Sequence, residues 1–238
     1  MTGIHQVGWL IRKDLALQFR NKDTLVLIFV FSILVVLIFI FAFGSIFPQA
    51  ASERGKLAAS ALWSAFAFAG IITLNRSFEI ERADCALHGI RLTGIDPGNF
   101  YLAKVLSNLV LLTGLEVVVL LVGLQFLDVF DTLTPDLQEK LPQILLQLMG
   151  VLAIGALGFC AVGVVVSGVS TSTHGNESLL SVILLPMILP VIMAGAKCTV
   201  SLLTIGTLKG MFWITLLAAY SLVFLASSYL LFEFVIED

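Results

Sequence analysis

The sequence predicts an all-α polytopic membrane protein with six transmembrane helices, an N-terminal interfacial helix and a charged cytoplasmic helix between the second and third spans. Three observations carry that prediction. Of 238 residues, 59% are hydrophobic and only 12% are charged, about half the ~25% of a typical soluble domain. The apolar residues collect into six long stretches, with nearly all charge crowded into the gaps between them. The first stretch, Leu25–Phe47, reads LVLIFVFSILVVLIFIFAFGSIF without one charged residue. A hydrocarbon core of ~30 Å needs ~20 apolar residues at 1.5 Å each, so this stretch is long enough to cross. Its apolar part far exceeds the ~7–15 residues of a secretory signal, and further spans follow it.

The element preceding it, residues 1–24, has a different character. At 100° per residue, Ile4, Val7, Gly8, Ile11, Leu15 and Phe19 share one face, and Gln6, Lys13 and Arg20 lie opposite. The expectation is a helix lying along the membrane surface, its basic residues near anionic headgroups. The remaining spans are expected at Leu57–Leu74, Tyr101–Leu127, Gln143–Val166, Leu179–Ala196 and Gly210–Phe234. Together they make residues 1–238 a single transmembrane domain, with no room expected for a separate soluble one.

Lys and Arg set the orientation. With the N-terminus in the cytoplasm, Arg12, Lys13, Arg20, Lys22, Arg76, Arg82, Arg91 and Lys104 lie inside. Arg54, Lys56, Lys140, Lys197 and Lys209 then lie outside. The two densest clusters fall inside, which puts both termini in the cytoplasm.

The longest inner connection, residues 75–100, reads NRSFEIERADCALHGIRLTGIDPGNF. It holds Glu79, Glu81, Arg82, Asp84, Arg91 and Asp96, more charge than any other gap. Its first half has helical spacing, with Ala83, Leu87 and Ile90 on one side, until Gly94 stops it. Asp96-Pro97 is a helix-start signal, Asp as N-cap and Pro at the first helical position. The expectation is a short helix across the membrane face, offering a docking surface to a cytoplasmic partner through Phe78, Glu79, Glu81, Arg82, Asp84, Leu87 and Arg91.

The fourth span is rich in small residues: Gly150, Ala153, Gly155, Ala156, Gly158, Ala161 and Gly163. Small residues let helix backbones approach closely in lipid, so this span is expected inside the bundle. The fifth places Pro186 and Pro190 four residues apart. Each removes a backbone donor and presses on the preceding turn, predicting a kinked or broken helix. One ionisable group, Glu116, lies mid-span and is expected to face the bundle interior. It is either a site lining a substrate or proton path, or a neutral carboxyl hydrogen-bonded to a neighbouring helix.

Catalytic motifs are absent from the sequence. No G-x-x-x-x-G-K-[ST] loop occurs, so the chain does not hydrolyse ATP by itself, and neither H-E-x-x-H nor G-x-S-x-G is found. Cys85, Cys160 and Cys198 form no C-x-x-C, which leaves zinc, dithiol redox and covalent haem attachment without their motif. His5, His88 and His174 all fall on the inner side, where solvated or turn roles suit them. The outer connections offer no histidine as axial haem ligand. A net charge of −3 gives no reason to expect a nucleic-acid partner.

The arrangement resembles the ABC-2 type exporter permeases, and within them the haem exporter protein B family (CcmB) of bacterial cytochrome c maturation. Three stretches carry the resemblance. Leu74, Arg76, Phe78, the acidic run Glu81 to Asp84, Pro97 and Ala103-Lys104 follow one family pattern. The small-residue Gly155–Gly168 follows a second, and Leu179–Pro190, with its two prolines, follows the most specific third. Asp84-Cys85 departs from the family's usual Asp-Gly.

The resemblance implies an inner-membrane permease subunit of an ATP-driven complex, moved through the loop between spans two and three. Its implied partners are a cytoplasmic ATPase subunit (CcmA-like), which binds the ATP, a haem-handling membrane protein (CcmC-like), a small single-span subunit (CcmD-like) and a second copy of the chain. Haem would be cargo, or would arrive on a partner, and is not held covalently. The lack of outer histidines favours a mechanical role, in which ATP hydrolysis releases a haem-loaded chaperone. Two other readings share parts of the pattern. One is an ABC-2 permease for a lipid, glycan or drug. The other is an ion-coupled carrier using Glu116, whose transport would persist without an ATPase.

Overall fold

A computed structural model describes residues 3–43, 51–83, 95–126, 135–172, 177–208 and 211–237. Within them the chain is helical: α1 (Gly3–Arg20), α2 (Lys22–Phe43), α3 (Ala51–Ala83), α4 (Pro97–Phe126), α5 (Pro135–Glu139), α6 (Leu141–Ser172), α7 (Glu177–Ile205) and α8 (Met211–Glu237). Six of these (α2, α3, α4, α6, α7 and α8) are long and apolar enough to cross a membrane. The sequence expectation of an all-α polytopic membrane protein therefore holds, although several helices run further than their apolar cores. α7 continues nine residues past Ala196, through Lys197, to Ile205. α3 continues past Leu74 without interruption to Ala83, so residues 75–83 extend the second span as helix instead of starting a separate one.

Burial separates interior helices from peripheral ones. The spans of α3 and α6 are each 67% buried, against 17% for that of α8. α6 packs against α3, α4, α7 and α8, which makes the small-residue span the hub, as its composition predicts. Its glycines seat bulky neighbours. A Cβ at Gly155 would meet the Trp63 ring at 2.5 Å, and one at Gly158 would meet Ser221 Oγ at 2.5 Å. Gly195 of α7 closes the other side of the Trp63 slot, where a Cβ would fall 2.0 Å from the ring. Inside that slot the Trp63 indole N–H donates to Thr199 Oγ1 at 3.0 Å. Trp63, Phe66 and Phe159 then stack edge to face at 5.2 and 5.1 Å, joining α3 to α6. Gly150 meets nothing within 4 Å and faces open space.

Side chains reach backbone carbonyls across helices. The Tyr101 hydroxyl of α4 donates to the Ala161 carbonyl of α6 at 3.0 Å. Ser221 of α8 donates to the Ile154 carbonyl of α6 at 3.0 Å. In lipid no water competes for these carbonyls, so such bonds help fix the bundle.

Pro186 and Pro190 lie inside α7, which runs as one helix from Glu177 to Ile205. A break was one of the two outcomes expected, and it does not occur. The Tyr220 hydroxyl of α8 donates to the Met187 carbonyl, adding a donor in the turn where the prolines remove two.

Candidate functional site

Three helix ends meet on the α1 side of the bundle: α1 itself, the close of α3 and the opening of α4. α4 begins as its sequence signal predicts. The Asp96 carboxylate accepts from the Asn99 N–H at 3.0 Å, capping the helix with Pro97 in its first position. Two turns into the helix, Lys104 is 2% exposed and its Nζ lies 3.1 Å from Asp14 Oδ2 of α1, itself only 4% exposed. Lys13 approaches the other Asp14 oxygen at 3.5 Å from a half-exposed position. The aromatic face of Phe100 lies 5.8 Å from the Lys104 ammonium.

A polar cluster continues one turn deeper. Gln18 of α1 donates through Nε2 to Ser77 Oγ of α3 and to Asn108 Oδ1 of α4, both at 3.4 Å. The Asn108 side-chain amide in turn donates to Ser77 Oγ at 3.3 Å and to the Lys104 carbonyl at 2.9 Å. A cavity of about 20 Å³ adjoins this cluster, lined by Gln18, Asn21, Thr24, Thr73, Arg76 and Ser77 among others. It has room for about one water molecule. α1 is thus joined to the two helices that flank residues 84–94.

This cluster is the part of the chain that sequence reasoning missed. The amphipathic reading laid α1 along the membrane surface and did not foresee that Asp14 and Gln18 are buried against the bundle. Lys104 entered as an inside charge and as one word of the family pattern, not as a partner for Asp14. A usable signal was present: Asp14 and Gln18 stand four apart on α1, as do Lys104 and Asn108 on α4, a polar stripe on each helix.

The expected docking residues fall at the edge of what is described. Phe78, Glu79, Glu81 and Arg82 lie in the last turns of α3, with only their backbone described. Asp84, Leu87 and Arg91 lie outside the described residues. His5 is exposed, and His88 and His174 also lie outside the described residues.

Glu116 faces inward as expected, at 5% exposure. It lines a cavity of about 10 Å³ with Ser32 of α2, Phe66 and Ala69 of α3, and Leu152 of α6. Both carboxyl oxygens lack a hydrogen-bond partner among the described residues. Ser32, the other polar residue there, donates to the Ile28 carbonyl at 2.8 Å. The cavity is at the lower edge of the ~10–15 Å³ that admits a single water. Among the described residues no group of three metal-ligating side chains occurs.

A bundle of six membrane-long helices, with a surface helix fastened to its third span, defines an all-α polytopic membrane protein in class. The chain belongs to the CcmB family: the family model described as CcmB protein matches residues 6–235, nearly its whole length. Membership makes it a multi-pass inner-membrane permease in haem export for cytochrome c maturation, associated with the CcmA ATPase and other components of that system, and not itself an ATPase. No curated protein matches the chain.

Proposed function

We propose that this permease takes mechanical force from a cytoplasmic ATPase through the segment between α3 and α4. In this reading both termini and residues 75–100 face the cytoplasm. ATP, bound by the partner, closes two ATPase subunits against Phe78–Arg91. The push tilts α3 and α4, and with them α1. Release of a haem-loaded chaperone follows on the far side, haem being cargo or partner-borne. A haem-handling subunit and a small single-span subunit complete the assembly. The observation that supports this most is the continuity of α3 from Ala51 to Ala83. A rigid rod of 33 residues, about 50 Å at 1.5 Å each, carries displacement from its cytoplasmic end through the bilayer.

The test is the double variant Glu81→Lys with Asp84→Lys, made in the co-expressed complex. Charge reversal on the docking surface is expected to strip the ATPase from the purified assembly while the permease stays folded. Unchanged copurification of the ATPase would place docking elsewhere.

A further inference from the structure

Glu116 of α4 is 5% exposed, Ser32 of α2 is 0% exposed, and both line one cavity of about 10 Å³. The other side chains on its wall, from α3, α4 and α6, are all apolar. The Ser32 hydroxyl has a single proton, which it donates to the Ile28 carbonyl of its own helix at 2.8 Å. What Ser32 offers the cavity is therefore an acceptor only. An ionised carboxylate needs donors, and this wall supplies none. The group in it is the neutral acid, with one donating and one accepting edge. Neither edge meets a protein partner among the described residues. The direct bond to a neighbouring helix that the sequence allowed is not made.

These groups fit one another through a single bridging molecule. The acid O–H needs an acceptor, its carbonyl oxygen needs a donor, and Ser32 Oγ has room for a donor of its own. Water meets all of them. It accepts from the acid O–H, returns one proton to the carboxyl carbonyl and gives the other to Ser32 Oγ. About three hydrogen bonds is the usual complement of a buried water, and the cavity holds one such sphere and nothing larger. Other occupants fail on chemistry. A hard cation takes about six or more oxygens, where this wall gives only those of Glu116 and Ser32. An anion would meet acceptors at both the carboxyl carbonyl and Ser32.

We propose that this cavity is the site of one resident water molecule, which bridges Glu116 of α4 to Ser32 of α2. Among the described residues no side-chain hydrogen bond joins α2 to another helix. The water is thus the polar joint between α2 and the bundle, in a place where no bulk solvent competes for its bonds. Leucine at position 116 removes the acid and its water together and leaves no orphaned group behind. The site is independent of the docking loop, and it stands even if force enters the chain elsewhere.

The test is infrared difference spectroscopy on the chain assembled with its native partners in a bilayer mimic. Subtracting the spectrum of Glu116→Gln isolates one carboxyl. The expected signal is a neutral C=O stretch, displaced to the lower frequency of a carbonyl that accepts a hydrogen bond. With it comes a water O–H stretch that moves when the solvent is exchanged for water carrying the heavy oxygen isotope. In Ser32→Ala the C=O band is expected to stay, while that O–H stretch rises toward the frequency of an unbonded hydroxyl. Carboxylate stretches in place of the C=O band overturn the proposal. So does a C=O band at its unbonded frequency, an O–H region blind to the isotope, or an O–H stretch unmoved in Ser32→Ala. Should Glu116→Gln fail to assemble, the unsubstituted complex decides, imaged at a resolution that shows ordered solvent. One solvent peak within hydrogen-bond reach of both Glu116 and Ser32 supports the bridge, and no peak between the two resolved side chains overturns it.

Discussion

Removing one member of the Asp14–Lys104 pair gives the sharpest test of how α1 is held. Lys104→Met keeps the aliphatic bulk and deletes the charge. The partners are 3.1 Å apart, with side chains only 3% and 4% exposed, so the variant leaves Asp14 buried without its main counterion. Breaking a buried pair in this way costs about 3–5 kcal/mol. Lys13 remains 3.5 Å from Asp14 from a 40% exposed position and offsets part of that, so the lower end applies. About 3 kcal/mol corresponds to roughly a hundredfold shift between docked and undocked α1. Amide hydrogen exchange across residues 5–20, in the intact complex in a bilayer mimic, should speed up by about that factor. Adding Asp14→Asn removes the stranded charge and should return most of the loss, since neutral replacement of both members is often close to isoenergetic. Unchanged exchange in Lys104→Met would show that the pair does not hold α1. A double variant as loose as the single would show that the lost term was packing and not charge.

Two further outcomes follow from the packing. Gly195→Ala puts a Cβ 2.0 Å from the Trp63 ring, which Gly155 confines on its other side, so overpacking is expected to cost about 1–3 kcal/mol, read as a lower midpoint of thermal unfolding. Glu116→Leu removes a carboxyl with two buried, unpartnered oxygens and is expected to raise that midpoint, by about 1–3 kcal/mol of relieved desolvation. Haem-export activity retained alongside the rise removes the ion-coupled reading of Glu116, whereas activity lost alongside it assigns the carboxyl a functional role.

The bundle was legible because its signals are periodic and strong. Leu25–Phe47 has no charge to interrupt it, and α2 covers it as far as Phe43. Asp96-Pro97 fixed the start of α4 because an N-cap is a local device, settled by the Asn99 N–H three residues away. The glycines of α6 announced close approach, though which side chain fills each slot was beyond composition. Trp63 is 92 residues from Gly155 and 132 from Gly195 in the chain, and nothing local links them. Helix ends were less legible, since hydropathy fades before hydrogen bonding does; this is why Lys197 read as loop and lies in helix. The polar cluster escaped altogether. An Asp and a Lys near a membrane surface read as solvated charges, and only the tertiary approach of α1 to α4 turns them into a buried pair.

That approach has a mechanical consequence for the proposed function. Ser77 of α3, Asn108 of α4 and Gln18 of α1 share one hydrogen-bonded cluster, and Asp14–Lys104 fastens α1 to α4 a turn away. The two helices that flank residues 84–94 therefore cannot part at their base without breaking these contacts. Force entering there moves α1, α3 and α4 together. α3 and α4 both also pack on α6, so the unit must slide against α6 to move at all. Along α3 that boundary runs through the Trp63 slot and the Phe66–Phe159 contact, close-packed surfaces that shift between discrete arrangements more readily than they deform. The polar clamp and the glycine slots thus play opposite parts. One makes a rigid unit out of three helices, and the other defines the surface along which that unit can move.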